Sequence, residues 1–347
     1  MKRIIVDMMG GDKAPLEMVK GVCLAAESLE AEYILVGDRE LLLTVAKENA
    51  LSLENFEIVD TKTVITMEDD PTSVVRGKEE SSMSVGLRLL ADGHGDAFVS
   101  TGNTGALFTG ANLIVRKIKG VRRPAIAAVL PMQPPVLLLD SGANVTVNAD
   151  YLDQFAVMGS LYMNQVMGVE KPRVGLLNNG IEASKGTELQ IEAYGKLSDN
   201  PEVNFVGNVE ANRVMRNACD VLVTDGFTGN ILLKTMEGMG KLILRTIKKI
   251  FFVNTLTKVA ALAVKPRLME VKKNFDASEF GGAPILGIAR PVIKAHGSSD
   301  AKAFKNAIRQ AIAFCETDLT EDMSEALARL KAYRKKQKES VCDSGEQ

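Results

Sequence analysis

Short apolar runs rich in β-branched residues recur along the chain. Each is followed by a turn that contains glycine and then by residues with helical spacing. The runs lie at residues 4–7, 33–36, 97–100, 136–139, 174–177 and 221–224. Alternation of this kind predicts parallel strands joined by crossover helices. The sequence therefore predicts an α/β fold of three layers, with helices on both faces of a mostly parallel sheet.

The first helix shows the helical spacing clearly. Asp12 is predicted to cap it, and Pro15 lies near its first turn, where the missing N–H of proline costs nothing. Apolar residues then recur on one face, at Met18, Val22, Ala25 and Leu29. That face is predicted to pack on the sheet.

No low-complexity linker or internal repeat divides the chain. We therefore expect one domain over residues 1–330, built as two lobes that share a continuous sheet. Two segments depart from the alternation of strands and helices. One is a basic amphipathic helical segment at about residues 236–274, and the other is a charged C-terminal tail over residues 331–347 that extends a helix and then frays.

Composition excludes several classes of protein. Hydrophobic residues make up 46% of the 347 positions and charged residues 25%, as in soluble globular proteins. The formal charge of −2 gives no global attraction to nucleic acid, so no nucleic-acid partner is expected. No uncharged apolar run approaches the roughly 18 to 20 residues that cross a bilayer, and the first apolar run is too short for a secretory signal.

The cysteines and aspartates give little support for a metal site. The four cysteines are scattered, without the spacing of a zinc knuckle or a disulfide framework, which favours a reducing cytoplasm. Several aspartates at strand ends have the chemistry to bind magnesium: Asp7, Asp12, Asp140, Asp225 and Asp300. Capping and turn formation explain them more simply, so we expect no required metal and no other cofactor.

Glycine-containing turns follow many of the predicted strands, at residues 9–12, 100–106, 140–144, 225–230 and 295–300. In open α/β sheets ligands bind at the carboxyl ends of the strands, where such turns expose backbone N–H groups to an anion. Strand-to-helix turns need glycine and capping residues in any case, so one such turn alone does not indicate a ligand site. Together they predict phosphate or substrate contacts at Gly10, Gly11, Asp12, Gly102, Thr104, Asp225, Thr228, Gly229 and Ser298.

Two of these turns resemble each other. Thr-Gly-Asn occurs at residues 101–103 and again at 228–230, each time after an apolar strand. Two such loops are predicted to hold one anion from two sides. The glycine fingerprints of dinucleotide and nucleoside triphosphate sites are both absent from the sequence, so inorganic phosphate is the simplest ligand.

The chain resembles the bacterial phosphate acyltransferases of the PlsX family over nearly its whole length. The matching stretches include residues 6–12, 67–71, 100–106, 123–125, 139–144, 184–186, 205–210, 225–230, 281–284 and 296–302. The resemblance implies a fold like that of phosphate acetyltransferases and isopropylmalate dehydrogenases. It also implies an enzyme that transfers an acyl group from acyl carrier protein to inorganic phosphate, for phospholipid synthesis.

The resemblance further implies a homodimer without a redox cofactor. Its product, an acyl phosphate, would be consumed by a membrane-bound glycerol-3-phosphate acyltransferase. The expected location is the cytoplasm, with peripheral contact at the inner face of the membrane.

Phosphate is already anionic, so its attack on a thioester needs positioning and charge compensation more than a strong base. The sequence has two histidines and no Gly-x-Ser-x-Gly motif, which disfavours a serine acyl-enzyme. One preorganised oxyanion donor contributes about 2.7–4 kcal/mol, against about 0.3–1 kcal/mol for a helix terminus. We therefore expect Asn103, Asn230 and the backbone N–H groups of Gly102 and Gly229 to bind phosphate or the oxyanion.

Two further side chains are catalytic candidates. Lys185 is expected to compensate charge, with an ordinary solvated lysine as the alternative. His296 is expected to donate to phosphate or relay a proton, with a purely structural histidine as the alternative. A hydroxyl at Ser298 or Ser299 is predicted to cap the helix that starts near Asp300, whereas His94 is predicted to lie in an exposed turn.

The basic segment carries apolar residues between its cations, as amphipathic helices do. Its basic residues are Lys241, Arg245, Lys248, Lys249, Lys258, Lys265, Arg267, Lys272 and Lys273. Three interpretations stay open: docking of the acidic carrier protein, contact with an anionic membrane, and a dimer-forming arm whose basic side is solvated.

Other functions compete with the phosphate acyltransferase. The first is a phosphate acetyltransferase-like enzyme that uses acyl-coenzyme A, and the second is a dehydrogenase on the same scaffold. A non-catalytic scaffold that binds carrier protein is the third. The density of polar glycine turns disfavours this last function.

Overall fold

The computed structural model describes residues 1–255, 257, 261, 264, 265, 267 and 281–344. The strands are β1 (Lys2–Asp7), β2 (Ala31–Gly37), β3 (Glu57–Asp60), β4 (Ala97–Ser100), β5 (Ala125–Leu130), β6 (Val136–Leu139), β7 (Arg173–Asn178), β8 (Asn204–Glu210), β9 (Val221–Val223), β10 (Ala283–Leu286) and β11 (Val292–Lys294). All six apolar runs identified in the sequence are strands.

Helices connect most of these strands. They are α1 (Leu16–Ala26), α2 (Arg39–Glu48), α3 (Ser82–Ala91), α4 (Thr104–Gly110), α5 (Ala149–Gln165), α6 (Glu188–Ser198), α7 (Ala211–Val214), α8 (Gly226–Phe251), α9 (Ala301–Cys315) and α10 (Leu319–Ser344). A 3-10 turn at Pro71–Val74 precedes α3, and a π-helical turn at Ala111–Val115 continues α4.

One 11-stranded sheet runs through the molecule in the order β3-β2-β1-β4-β11-β10-β5-β6-β9-β7-β8. Pairing is parallel within β3-β2-β1-β4-β11, here called the first lobe, and within β6-β9-β7-β8, the second lobe. Antiparallel pairs at β11–β10, β10–β5 and β5–β6 join the two lobes. The parallel strands of the first lobe therefore run in the opposite direction to those of the second lobe. The predicted fold class is confirmed.

Helices cover both faces of the sheet. Ile4 and Val6 of β1 lie in one core cluster with Phe155 and Phe304, whereas the intervening Ile5 lies in a second cluster. Strand side chains alternate between faces, so a core on each side requires the continuous apolar runs seen in the sequence.

The start of α1 differs from its prediction. The helix begins at Leu16 with Pro15 at the cap and no side-chain cap, and it ends at Ala26, before Leu29. Asp12 does not cap it, because the cap position lies three residues later, at Pro15; the backbone N–H of Asp12 instead donates to the carbonyl of Gly297 at 2.9 Å. The buried positions Met18, Val22 and Ala25 confirm the predicted apolar face.

The cap of α9 also differs from its prediction. Asp300 itself is the cap, and its carboxylate accepts from Ala303 N at 2.9 Å. The hydroxyls of Ser298 and Ser299 do not have this role. His94 is exposed after α3, as predicted.

The last helix continues through the predicted boundary at residue 331. Arg334 of α10 donates to Asp153 of α5 at 2.9 Å, and also to the carbonyl of Lys196 in α6. Asp153 is buried and accepts from Asn200 as well. The first part of the predicted tail is therefore a helix packed on the second lobe.

The basic segment begins as the long helix α8, in which only Gly226 and Gly229 are buried. Of the cations predicted there, Lys258, Lys272 and Lys273 lie outside the described residues. Across the described part of the chain, no helix has the length and apolar content that a bilayer crossing requires.

Candidate active site

Asp7 ends β1 and organises the loops around it. Its buried carboxylate accepts from Ser82 Oγ at 2.7 Å and from Ser100 Oγ at 2.6 Å. Ser100 in turn accepts from the backbone N–H of Gly102 at 3.0 Å. This chain of hydrogen bonds fixes the turn after β4 against the end of β1, since each buried polar atom needs its partner.

The predicted glycines of the first turn fit closely against the neighbouring loops. A Cβ on Gly10 would lie 2.6 Å from Gly102 N, and Gly10 O accepts from Thr101 Oγ1. Gly11 has a φ of +89° and lies where a Cβ would meet Gly297 O at 2.9 Å. These glycines are therefore required by close backbone approach. We call residues 7–12, 100–103 and 294–298 the first loop set.

Lys294, at the end of β11, is a buried cation inside this loop set, and sequence reasoning missed it. Its ammonium donates to the carbonyl oxygens of Thr101, at 3.2 Å, and of Ala295. Burial lowers the pKa of Lys294 to about 8, while the carboxylates of Asp7 and Asp12 oppose that shift and Lys234 adds to it. The lysine thus titrates close to neutral pH.

His296 follows two residues later and is exposed. Its Nδ1 accepts from Ser298 N at 3.2 Å and lies 2.9 Å from Ser298 Oγ. Desolvation lowers the pKa of His296; the Glu237 carboxylate opposes this shift and nearby lysines reinforce it. The imidazole is therefore neutral at pH 7 and carries its proton on Nε2, where it is a hydrogen-bond donor.

The side-chain amide of Asn103, predicted to contact phosphate, forms hydrogen bonds within the protein. Nδ2 donates to the carbonyls of Thr66 and Asp69, both at 3.1 Å, and to Met67 O at 3.3 Å. Oδ1 accepts from Ala106 N and caps α4. Both ends of the amide are engaged, so these contacts position the loop at residues 66–69 beside the first loop set.

The predicted backbone donors are engaged as well. Gly102 N–H donates to Ser100 and Gly229 N–H donates to Asp225 O at 2.9 Å, so neither is directed at a ligand in this structure. Thr104 is the exposed first residue of α4. Both N–H groups form turns in this structure, and that they bind phosphate or the oxyanion stays a prediction.

A second loop set lies at the carboxyl ends of β6, β9 and β7 and comprises residues 140–144, 225–230 and 178–186. The buried carboxylate of Asp140 accepts from the N–H groups of Ala143 and Asn144, at 3.0 and 2.7 Å, and from Ile126 N. Burial raises the pKa of Asp140, and these hydrogen bonds oppose the shift. The Asp140 carboxylate thus organises the loop after β6, and further hydrogen bonds from Ser141 to Ile126 O and from Asn144 to Pro124 O anchor the loop to β5 and the residue before it.

The predicted residues of the second loop set start helix α8. Asp225 caps it by accepting from Thr228 N at 2.8 Å, and Gly229 packs on the carbonyl of Asp140. Thr228 and Asn230 are exposed, and the Asn230 side chain lies over Gly142. These two side chains face outward at this end of the helix, as does that of Phe227.

Lys185 also belongs to the second loop set, after β7. Its side chain is exposed, and its carbonyl accepts from Asn178 Nδ2 at 3.0 Å. The two Thr-Gly-Asn loops are not neighbours in the sheet, since β11, β10, β5 and β6 lie between β4 and β9. That both loops hold one anion stays a prediction.

One face of α8 connects the two loop sets. Asn230, Lys234, Glu237 and Lys241 follow helical spacing and share this face. The charges of the last three act on His296, in the first loop set. This face therefore extends from Asn230, beside Gly142 in the second loop set, toward His296 in the first loop set. The other predicted contact residues, Arg245, Lys248 and Lys249, continue α8 as exposed cations.

Four of the five aspartates considered for magnesium have other partners. Asp7 and Asp140 accept internal hydrogen bonds, whereas Asp225 and Asp300 cap helices. Within the described ranges, the structure contains no group of three or more His, Cys, Asp or Glu side chains arranged to hold a metal ion.

Known proteins are similar to this chain over most of its length. A family described as "Fatty acid synthesis protein" matches residues 2–322. A phosphate acyltransferase of Alkaliphilus oremlandii is 43% identical over 329 residues, which is 94% of this chain and 98% of that protein. A phosphate acyltransferase of Acetivibrio thermocellus is 46% identical over 318 residues, 90% of this chain and 93% of that protein.

Solved structures share the fold at low sequence identity. A phosphotransacetylase from Streptococcus pyogenes has a TM-score of 0.62 at 18% identity and covers 91% of this chain and 94% of its own. A 4-hydroxythreonine-4-phosphate dehydrogenase from Klebsiella pneumoniae has a TM-score of 0.57 at 12% identity and covers 91% of this chain and 100% of its own. One fold thus serves two chemistries, so the fold alone does not choose between them.

Proposed function

Since the chain belongs to the phosphate acyltransferase family, we propose that it transfers a fatty acyl group from acyl carrier protein to inorganic phosphate. A phosphate oxygen attacks the thioester carbonyl, the new C–O bond forms, and the C–S bond breaks. The proton of hydrogen phosphate ends on the departing thiol. The products are an acyl phosphate and free carrier protein. The match of the family to residues 2–322 carries this proposal.

The first loop set is the proposed phosphate site. Glycine turns at the ends of β1 and β4 meet there, beside a buried cation and the neutral His296. The second loop set, with Asn230, Thr228 and Lys185, is the proposed site of the thioester. The face of α8 that carries Asn230 and Lys234 lies between them. We propose that phosphate and thioester meet along this face.

Direct attack by phosphate is favoured over an acyl-enzyme. Burial raises the pKa of Cys219 and of Cys315 to about 12, and it also raises that of Cys23. These thiols stay protonated at neutral pH and are poor nucleophiles. The thiolate of the substrate has an ordinary pKa of about 8.5 and leaves without much assistance.

The proposal also specifies the acyl donor. Exposed Lys248 and Lys249, in the last turn of α8, support an anionic donor, and we propose an acidic carrier protein. The proposal also includes a homodimer in the cytoplasm. Its acyl phosphate would be used by a membrane-bound glycerol-3-phosphate acyltransferase in phosphatidic acid synthesis, with peripheral contact at the membrane.

The test compares two donors. Purified protein is incubated with palmitoyl-carrier protein or palmitoyl-coenzyme A, each with and without phosphate and without metal or nucleotide, and free thiol is followed. We expect phosphate-dependent release with a higher kcat/KM for the carrier protein. Equal use of coenzyme A would indicate the acetyltransferase-like alternative. No release from either donor would indicate a scaffold.

Charge reversal tests the docking surface. We expect the double variant Lys248→Glu/Lys249→Glu to raise the KM for palmitoyl-carrier protein about 10-fold, because two attractive charges become repulsive, with kcat unchanged. The KM for palmitoyl-coenzyme A is the internal reference. The matched control is Lys335→Glu/Lys336→Glu, an exposed lysine pair on α10. Equal effects of both double variants would contradict docking at α8.

A further inference from the structure

We propose that Asn103 is a positioning residue for the reaction, and that its amide fixes a loop that closes one side of the phosphate site to water. This loop comprises residues 64–70 and is called the cover loop. The inference rests on the proposed function and concerns its phosphate site, the first loop set. Asn103 thereby acts through the protein backbone, where the sequence analysis expected it to contact phosphate.

The cover loop has no secondary structure of its own to bind its carbonyl groups. Residues 64–70 lie between β3 and α3 and form neither strand nor helix. Asn103 Nδ2 donates to three of their carbonyls, those of Thr66, Met67 and Asp69. Asn103 is buried, and carbonyls turned toward the protein interior need donors. This one amide therefore takes the place of a neighbouring strand.

An ion pair gives the cover loop a second anchor. The carboxylate of Asp69 accepts from Lys78 Nζ and from Thr66 N, both at 2.6 Å. Lys78 Nζ also donates to the carbonyl of Val64 at 2.9 Å. The two side chains of the pair are 30% and 23% exposed, so water screens their attraction only in part. The loop is thus ordered before substrate binds, which avoids the cost of ordering it on binding.

Met67 of the cover loop lies against the first loop set. A Cβ on Gly297 would lie 3.2 Å from Met67 Cε, and 3.6 and 3.8 Å from the two carboxylate oxygens of Asp12. Gly297 also joins the loop after β11 to the turn after β1, because its carbonyl accepts from Asp12 N at 2.9 Å. Met67 therefore places an apolar group at this junction, next to the loop that carries His296.

Water competes with phosphate for the acyl group. When water attacks the thioester carbonyl, a C–O bond forms, the C–S bond breaks, one proton of the water ends on the thiol, and free fatty acid is produced. A group that excludes water from an active site suppresses such a side reaction. The thioether of Met67 offers water no strong hydrogen bond. In its fixed position it favours transfer to phosphate over hydrolysis.

Met67→Ala tests the closure to water. We expect thiol release from palmitoyl-carrier protein without phosphate to rise about 10-fold relative to release with saturating phosphate, because water gains access to the site. Met67→Leu keeps an apolar side chain of similar size and is expected to show the ratio of the unaltered protein. The matched control is Leu43→Ala on α2, since Leu43 and Met67 are both 46% exposed. An unchanged ratio in Met67→Ala would contradict the closure.

Asn103→Ser and Lys78→Met test the positioning. Serine keeps a capping oxygen for α4 and removes the amide donors, and methionine removes the charge of Lys78 while keeping most of its length. Each variant is expected to lower kcat/KM for phosphate, by up to about 100-fold, because the cover loop is displaced. Both changes release the same loop, so we expect the double variant to lose far less than the product of the two single losses.

Two kinetic results would overturn the positioning role. One is full activity of Lys78→Met beside a large loss in Asn103→Ser, which would make Asn103 a direct ligand of the substrate. The other is a double variant whose loss equals the product of the single losses, since independent effects multiply.

Amide hydrogen exchange decides the anchoring without an assay of activity. Thr66 N is bound to Asp69, and Ala106 N is bound to Asn103 Oδ1. We expect Asn103→Ser to raise exchange several-fold over residues 66–69 and to leave the amides inside α4 unchanged, which separates local release from unfolding. Equal exchange over residues 66–69 in the two proteins would refute the inference. If exchange rises but the unaltered protein transfers no acyl group to phosphate, the anchoring by Asn103 stands and the proposed reaction fails.

Discussion

Replacing Gly10 with alanine is expected to lower kcat/KM for phosphate by about 100-fold while the protein stays folded. The added Cβ would lie 2.6 Å from Gly102 N and 2.8 Å from Asp7 Oδ2, so the turn after β1 must separate from the turn after β4. A displacement of about 1 Å in a substrate-positioning group is enough for an effect of this size. Steady-state kinetics with phosphate as the varied substrate measures it.

The control for Gly10→Ala is Gly195→Ala. Gly195 lies in α6, where a Cβ would meet no heavy atom within 4 Å. We expect unchanged turnover and a gain of about 0.5–1 kcal/mol in the free energy of unfolding, from the higher helix propensity of alanine. Unchanged kcat/KM in Gly10→Ala would show that the close approach of the two turns has no part in catalysis.

Gly229→Ala is expected to lower the free energy of unfolding by about 3 kcal/mol or more and to abolish turnover. The Cβ would lie 1.9 Å from the carbonyl oxygen of Asp140, a distance no real contact has. Because that oxygen belongs to the backbone after a buried strand, the start of α8 must move away from β6. Asn230, the next residue, moves with it. Denaturant unfolding gives the change in stability.

A glycine on the same helix provides the control. At Gly238, a Cβ would meet no heavy atom within 4 Å, so we expect Gly238→Ala to be neutral or slightly stabilising and fully active. Equal stability of Gly229→Ala and Gly238→Ala would mean that α8 does not pack on β6 as described.

The sequence predicts the fold well where strands are buried on both faces. Residues 136–139 and, except for Ser100, residues 97–100 are continuous apolar runs, and each matches its strand from end to end. Other strands lack that signal. Strand β5 has three alanines among its six residues, and β8 at the edge of the sheet carries polar side chains. These strands are defined by their partners in the sheet rather than by their own composition.

The candidate site is predictable only in part, for a similar reason. Glycine turns mark where the loops lie, because turns and close approaches require glycine locally. The direction of each side chain depends on contacts between distant residues. Asn103 is drawn to the backbone of residues 66–69, and Lys294 reaches Thr101 across a sequence separation of 193 residues. Lys294 did carry one signal, as a lysine that directly ends an apolar run and precedes Ala295 and His296.

The central claim is that phosphate itself accepts the acyl group. Palmitoyl-carrier protein labelled with ¹³C at the carbonyl carbon, incubated with phosphate and the purified protein, tests it by ³¹P and ¹³C NMR. We expect a product whose phosphorus and labelled carbon are coupled through one oxygen, formed at the rate at which free thiol is released. Thiol release at the same rate without phosphate, with labelled free fatty acid as the product, would contradict the claim.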